Sequence, residues 1–255
     1  MKFVTKEIKN NIAYITLERP PVNALTREVY TELTDAFNSI YDDLDKVYVV
    51  ILTARGKQFI AGNDLNEFDG EPTQAEMNIQ AGYFASCLTN IYTCPVPVIG
   101  AINGAAVGAG FCIASVCDVL VAAEGAGFGL PEMKVGVLGG LAFLPGMVPQ
   151  KLGKYMTLTG ELIPAEKLQN YGSVHSVVPK EKLMEEAERV AEAVKLSPPL
   201  ALQAWKKSYQ FIDRLDFINI EHITDLFILD LQKTEDYKEV VRSFMEKRKP
   251  VYKGR

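Results

Sequence analysis

A chain of 255 residues with 48% hydrophobic and 23% charged content carries enough apolar matter for a substantial core, which excludes a disordered protein. The net charge of -5 argues against a general nucleic-acid binder, and no apolar run reaches the roughly 18 residues of a membrane span, so neither nucleic acid nor membrane is an expected partner. Cys87, Cys94, Cys112 and Cys117 form no Cys-x-x-Cys pair and lie in apolar runs, which predicts buried reduced thiols and no metal site; with no leader pattern at the N-terminus, the expected compartment is the cytoplasm.

Met1 to Val4 enters a strand pattern, and Ile12 to Leu17 alternates apolar and polar residues as a second strand. Arg19-Pro20-Pro21-Val22-Asn23 breaks that pattern before Thr26 caps a helix running to about Tyr41. Val47 to Thr53 is almost wholly apolar and β-branched, as expected of a strand covered on both faces. A loop over Gln58 to Gly70 leads to a helix from about Gln74 to Thr93, then a strand over Val96 to Ile102. A helix starts near Gly108, a strand follows at Val119 to Ala122, and Gly125 to Gly140 is rich in glycine. Beyond Leu144 helices dominate, with a strand at Val174 to Val178, a helix over Lys182 to Leu196 and another opened by Ser197-Pro198-Pro199. The expected organisation is an α/β core over 1–196 and a helical region over 197–255, whose Phe211, Phe217, Ile220 and Leu226 supply apolar surface for oligomer contacts or for packing on the core.

Pro97 to Gly110 runs from an apolar strand into a turn of small residues that opens a helix. Bare amides at such a helix start hold an anion, a phosphate or an oxyanion; the alternative is close packing of helix on strand. No Gly-Lys-Ser/Thr ends the turn, so a phosphate-binding P-loop does not fit. With only His175 and His222, in a strand-like and a helical run, few bases are at hand for a serine or cysteine nucleophile.

Taken together, Glu18-Arg19-Pro20, Phe59 to Leu65, Pro95 to Gly104, Gly108-Ala109-Gly110, Cys117-Asp118, Phe128 to Glu132, Val135-Gly136, Leu158-Thr159-Gly160 and Phe244 to Arg248 resemble the crotonase superfamily, the enoyl-CoA hydratases and isomerases, from end to end. The resemblance implies a spiral of repeated β-β-α units, a helical C-terminal region used to form trimers, and hexamers as pairs of trimers. It implies acyl-CoA thioester substrates and no cofactor beyond the coenzyme A that carries the acyl group. The matching oxyanion donors are the backbone amides of Asn63 and Ala109, and the matching proton carrier is Glu132, expected to be partly buried between Pro131 and Met133. Positions matching the substrate site are Pro21, Val22, Ala61, Asp64, Leu65, Gly108 and Cys112, with Phe244 and Lys247 matching C-terminal residues that reach CoA.

Cys112 stands where two-glutamate hydratases of the family carry their second glutamate. A thiol is a poor hydrogen-bond acceptor and does not replace a carboxylate that holds water. The expected activity is therefore isomerisation between 3-enoyl-CoA and 2-enoyl-CoA by one glutamate. Hydration, helped by another acid such as Glu67, and a non-catalytic CoA-ester-binding role are the alternatives.

Overall fold

The alternation at the N-terminus folds as a hairpin, β1 (Val4–Lys9) pairing antiparallel with β2 (Ile12–Leu17). Asn10 and Asn11 turn between them with φ of 50° and 62°, a conformation that Asn tolerates better than most residues. The structure is a computed structural model that describes residues 1–68, 74–213 and 233–251, and the side chains of residues 65, 68, 74, 75, 77 and 211–213 lie outside that description. His222 and Phe217, Ile220 and Leu226 of the expected oligomer surface fall outside the described residues; so does the side chain of Phe211.

From β2 the pairing becomes parallel through β3 (Val49–Ala54), β4 (Val98–Ile102), β6 (Val119–Ala123) and β9 (Ser176–Val178), in the sheet order β1-β2-β3-β4-β6-β9. A second layer holds β5 (Ala106–Val107), β7 (Gly127–Gly129) and β8 (Ile163–Pro164), and isolated bridges Ile60–Ala106 and Leu25–Asn63 extend it. Successive turns of chain therefore repeat one course: a strand of the large sheet, a short second-layer piece, a helix. The turns are β2, Leu25 and α1 (Arg27–Asn38); then β3, Ile60 to Asn63 and α2 (Gln74–Tyr92); then β4, β5 and α3 (Ala109–Ser115). A fourth starts with β6 and β7 and reaches α4 (Gln150–Thr159); α5 (Ala165–Gln169) follows β8. The β-β-α spiral is the architecture present.

Both faces of the large sheet are buried, and the two-residue period of a strand divides its side chains between two cores. Val50 and Leu52 join the larger core with Tyr30, Leu33 and Phe37 of α1. Val49 and Ile51 face the smaller one, closed by Leu183, Ala187, Val190 and Ala191 of α6 (Leu183–Val194), a spacing that places all four on one helix face. Element ends shift from expectation where the chemistry changes: α1 stops at Asn38 and a 3-10 turn takes over at Tyr41–Asp43, while β4 begins only after Pro97, which has no N–H to pair. No helix of the described residues is long and apolar enough to cross a membrane.

The C-terminal helices are α7 (Pro199–Asp213) and α8 (Glu235–Met245). Lys206 of α7 is only 2% exposed, and its Nζ lies 2.5 Å from Oδ2 of Asp118, the same oxygen that accepts from Val98 N at 2.7 Å. This pair, with Gln210 Nε2 donating to Tyr92 O at 3.3 Å, ties α7 to the start of β4. Removing one partner of a buried pair strands the other charge. Lys206→Met is expected to lower unfolding free energy by about 3 kcal/mol and Asp118→Asn, added to it, to recover part of that loss; an unchanged urea midpoint in the single variant would show that α7 docks without the pair.

Candidate active site

Two peptide units on neighbouring turns begin the site. Leu25 N donates to Gly62 O, and Asp64 N donates to Leu25 O, both at 2.8 Å. In a trans peptide the carbonyl and the following N–H point opposite ways, so the Gly62–Asn63 unit turns the Asn63 N–H away from Leu25. On that side lie Val107 and Gly108: a Cβ on Gly62 would stand 3.3 Å from Val107 O, and one on Gly108 would stand 3.7 Å from Gly62 Cα. The same rule aims Ala109, because Gly108 O accepts from Cys112 N at 3.1 Å and leaves the Ala109 N–H pointing out of the first turn of α3. Gly108 N is held in turn by Gly129 O at 2.9 Å. Among the described residues neither the Asn63 nor the Ala109 N–H donates to a protein acceptor.

The third component arrives from the next turn. After β7, Pro131 leads into a 3-10 turn, Glu132–Val135, closed by Gly136 with φ of 71°. Oε1 of Glu132 lies 3.0 Å from where a Cβ of Gly108 would be, its Cγ lies 3.5 Å from the corresponding point on Gly139, and its Oε2 is shielded from solvent. Gly140, with φ of 67°, leaves room in the same way for the Cys112 Sγ, 3.0 Å from its Cβ position. Carboxylate, thiol and the peptide that presents Ala109 thus share one small volume, opened by glycines that no side chain fills. Segments paired as strands lie about 4.8 Å apart, so outward N–H groups on adjacent segments both reach a single oxygen with ordinary hydrogen bonds. Such a pair stabilises a carbonyl oxygen as it gains charge, and the carboxylate beside it is placed to exchange a proton.

Close packing and an outward amide occur at different residues of the small-residue turn. Gly104 and Gly110 serve close packing, since a Cβ on either would collide with backbone, at Lys57 O and Ile60 O respectively. Gly108 and Ala109 face the site.

The remaining expected residues fall into groups. Ala61 N donates to Val22 O at 3.2 Å, which brings exposed Ala61, Pro21 and Val22 together at one edge. The Asp64 carboxylate binds Arg19 Nη2 at 2.6 Å and Asn66 N at 3.1 Å; burial opposes its ionisation, but the Asn66 amide and the Arg19 guanidinium outweigh this and lower its pKa. Asp64 thus braces the loop. Glu67 accepts from Arg27 N at 3.0 and 3.2 Å and caps α1, so the acid considered as a helper in hydration is committed to a helix end. Cys112 is 1% exposed, Phe244 is 54% exposed on α8, and Lys247 follows that helix with φ of 52°. The Leu65 side chain lies outside the described residues. His175, exposed ahead of β9, donates its N–H to Leu120 O at 2.8 Å. A groove of about 340 Å³ between α1 and α2 is lined by Thr31, Thr34, Ile79, Gly82, Tyr83 and Ser86, none of which belongs to the site above.

One residue escapes sequence reasoning altogether. Tyr30, fully buried on α1, donates its hydroxyl to Oδ1 of Asn63 at 2.6 Å. It occupies an apolar position of an amphipathic helix, where a tyrosine reads as core.

This spiral, with two outward amides beside a carboxylate, defines a protein of the crotonase superfamily. The family model for enoyl-CoA hydratase/isomerase matches residues 7–255, and the chain belongs to that family. It is 38% identical over 203 residues, 79% of this chain and 81% of the relative, to a (7aS)-7a-methyl-1,5-dioxo-2,3,5,6,7,7a-hexahydro-1H-indene-carboxyl-CoA hydrolase of Mycobacterium tuberculosis. A carnitinyl-CoA dehydratase of Salmonella typhimurium is 36% identical over 253 residues, covering 96% of this chain and 95% of its own. The crystal structure of a carnitinyl-CoA hydratase from Mycobacterium avium superposes with a TM-score of 0.83 at 32% identity, covering 100% of both chains.

The glycine at 108 carries a direct test. Its φ of 57° and the nearness of Glu132 Oε1 mean that Gly108→Ala strains the backbone and displaces the carboxylate. The variant is expected to fold and to lose about 100-fold in kcat on the chain's acyl-CoA substrate; full activity would show that Glu132 does not work from this position.

Proposed function

We propose that this chain is an acyl-CoA enzyme in which the Asn63 and Ala109 amides hold the thioester oxygen while Glu132 alone moves the proton, and that it converts a 3-enoyl-CoA to a 2-enoyl-CoA. The observation that carries the reading is the buried thiol of Cys112, packed at Gly140 where a second carboxylate would have to stand, together with the engagement of Asp64 and Glu67 elsewhere. Glu132 takes a proton from C2, and the electron pair of that C–H bond spreads over the diene and the carbonyl oxygen. Two amides meet the charge there. Glu132 then returns the proton to C4, so the double bond moves and the composition of the substrate is unchanged. The step as written uses the acyl-CoA and this chain's own carboxylate and amides.

Pro21, Val22 and Ala61 support a CoA-binding edge by their shared exposure, with Lys247 as a point charge for phosphate and Phe244 beside it on the C-terminal helix. Exposed Leu200, Trp205, Phe244 and Met245 on the C-terminal helices favour assembly as a trimer or as a hexamer of two trimers.

Hydration is the second reading, favoured by the names of relatives that are dehydratases or hydratases. There Glu132 would take a proton from water and deliver it to C2. Matched 3-enoyl- and 2-enoyl-CoA esters, followed by mass and by chromatography, separate the two, since only hydration adds the mass of water. Isomer formation at constant mass is expected; a hydroxyacyl product as the main outcome would overturn the isomerase reading. Glu132→Gln is expected to reduce turnover by about 100-fold or more with little change in acyl-CoA binding, whereas unchanged turnover would remove Glu132 from its role. Wild-type binding without turnover on any ester would favour a non-catalytic CoA-ester binder. Cys112→Glu, if folded, is expected to raise hydration relative to isomerisation; an unchanged product ratio would show that residue 112 does not limit water activation.

A further inference from the structure

The loop that carries Asn63 is strapped to the start of α1 at several points. Leu25 holds the backbone on both sides of Asn63, Arg19 holds Asp64, and Glu67 reaches the Arg27 amide. Among the described residues one tie grips residue 63 by its own side chain, the 2.6 Å hydrogen bond from Tyr30. The peptide in question follows Gly62, whose φ of 102° lies where a glycine moves with little torsional resistance. The carbonyl end of the same peptide is held by Leu25 N at 2.8 Å, so a substrate oxygen that pulls on the Asn63 N–H pulls on a unit anchored at one end and able to tilt about that bond. A bond to the Asn63 side chain fixes Cβ and with it the Cα to which the Asn63 nitrogen is bonded, and so limits that tilt at the other end of the peptide.

From this geometry, and resting on the oxyanion role proposed above for Asn63, we infer that Tyr30 is a positioning residue for the reaction: its hydroxyl locks the Asn63 side chain and thereby holds the Asn63 N–H on the developing oxyanion. Tyr30 is suited to the task on three counts. Its ring is fully buried and meets Phe84 edge-on, with centroids 6.3 Å apart, and Phe84 meets Phe143 in the same manner at 6.1 Å, so the hydroxyl projects from a rigid base. Burial, and then the neighbouring Cys87, Cys112 and Glu67, push its pKa well above the ordinary tyrosine value, so it stays a donor across the working pH range. Phe143 also follows Gly140, whose carbonyl accepts from Phe143 N at 3.1 Å; the aromatic row thus runs from the Asn63 donor to the wall beside Cys112.

Tyr30→Phe keeps the ring and its packing and removes only the donor, while the exposed Asn63 side chain can turn to water. Loss of one oxyanion donor costs about 100-fold or more in kcat, so loosening one without deleting it is expected to cost about tenfold, with KM within about twofold of wild type. Asn63→Ala, which removes the acceptor and keeps the amide, is expected to cost about the same, and the double variant no more than either single one. The optical readout is the infrared band of a 2-butenoyl-CoA labelled with ¹³C at the thioester carbonyl, bound in the Glu132→Gln background. Binding is expected to shift the band to lower frequency, and Tyr30→Phe to remove at least half of that shift at similar affinity. A Tyr30→Phe protein with unchanged carbonyl shift and kcat, or losses that multiply in the double variant, would overturn the inference while leaving the site intact. A bound ester with no shift even with Tyr30 present would overturn the oxyanion reading and this inference with it.

Discussion

Backbone pairing between successive turns of the spiral is the constraint on which the site depends. Paired extended segments lie about 4.8 Å apart whatever their side chains, and that distance suits two donors converging on one oxygen. The second layer sets the sequence of neighbours: Leu25 beside Asn63, Ile60 beside Ala106, Ala106 beside Phe128, Phe128 beside Ile163. Asn63, Gly108 with Ala109, and Glu132 each follow their second-layer piece by a few residues or belong to it. Three stretches far apart in the chain thus meet because each leaves the layer at the same end.

Rigidity around the candidate site is supplied from outside it. The Asn63 loop rests on α1 through backbone, ion pair, helix cap and the tyrosine hydroxyl. The Ala109 amide is set by α3 and by Gly129, and the Glu132 turn is backed by α8, where Val240 comes within 3.4 Å of the Cβ position of Gly136. Preorganised dipoles of this kind need no reorientation when charge appears, which is the source of their effect on rate. Space beside Glu132 and Cys112 is made by glycines, so the volume there is set by backbone and cannot relax by a change of rotamer.

Long periodic elements were legible in the chain. β3 reads as doubly buried and is; β2, β4 and β6 lie where apolar runs place them; α6 follows its i, i+4, i+7 stripe. β5, β7 and β8 were not legible, since two or three residues rich in Ala, Gly and Pro carry no period and earn their strand state only from neighbours. Asn63, Ala109 and Glu132 were reached through the family's motifs, not through periodicity, because the feature that singles out two of them is an outward backbone amide that no side-chain pattern reports. Asp64 and Glu67 look alike as loop acids, and only the fold shows them bound to Arg19 and to the Arg27 amide. Tyr30 was hidden for the opposite reason: its position in the helix explains the ring fully and says nothing of the hydroxyl.

The contrast between short second-layer pieces and long helical returns separates two kinds of change the chain can absorb. Lengthening a return, such as residues 39–48 between α1 and β3, alters the path between two elements and leaves the pairing registers as they are. One extra residue within a two-residue piece such as β5 would instead reverse which face each neighbour presents and carry Gly108 and Ala109 out of line with Gly62 and Asn63. Descendants of such a chain are therefore free to remodel the helical returns by insertion and deletion, while the peptides that present the Asn63 and Ala109 amides tolerate neither.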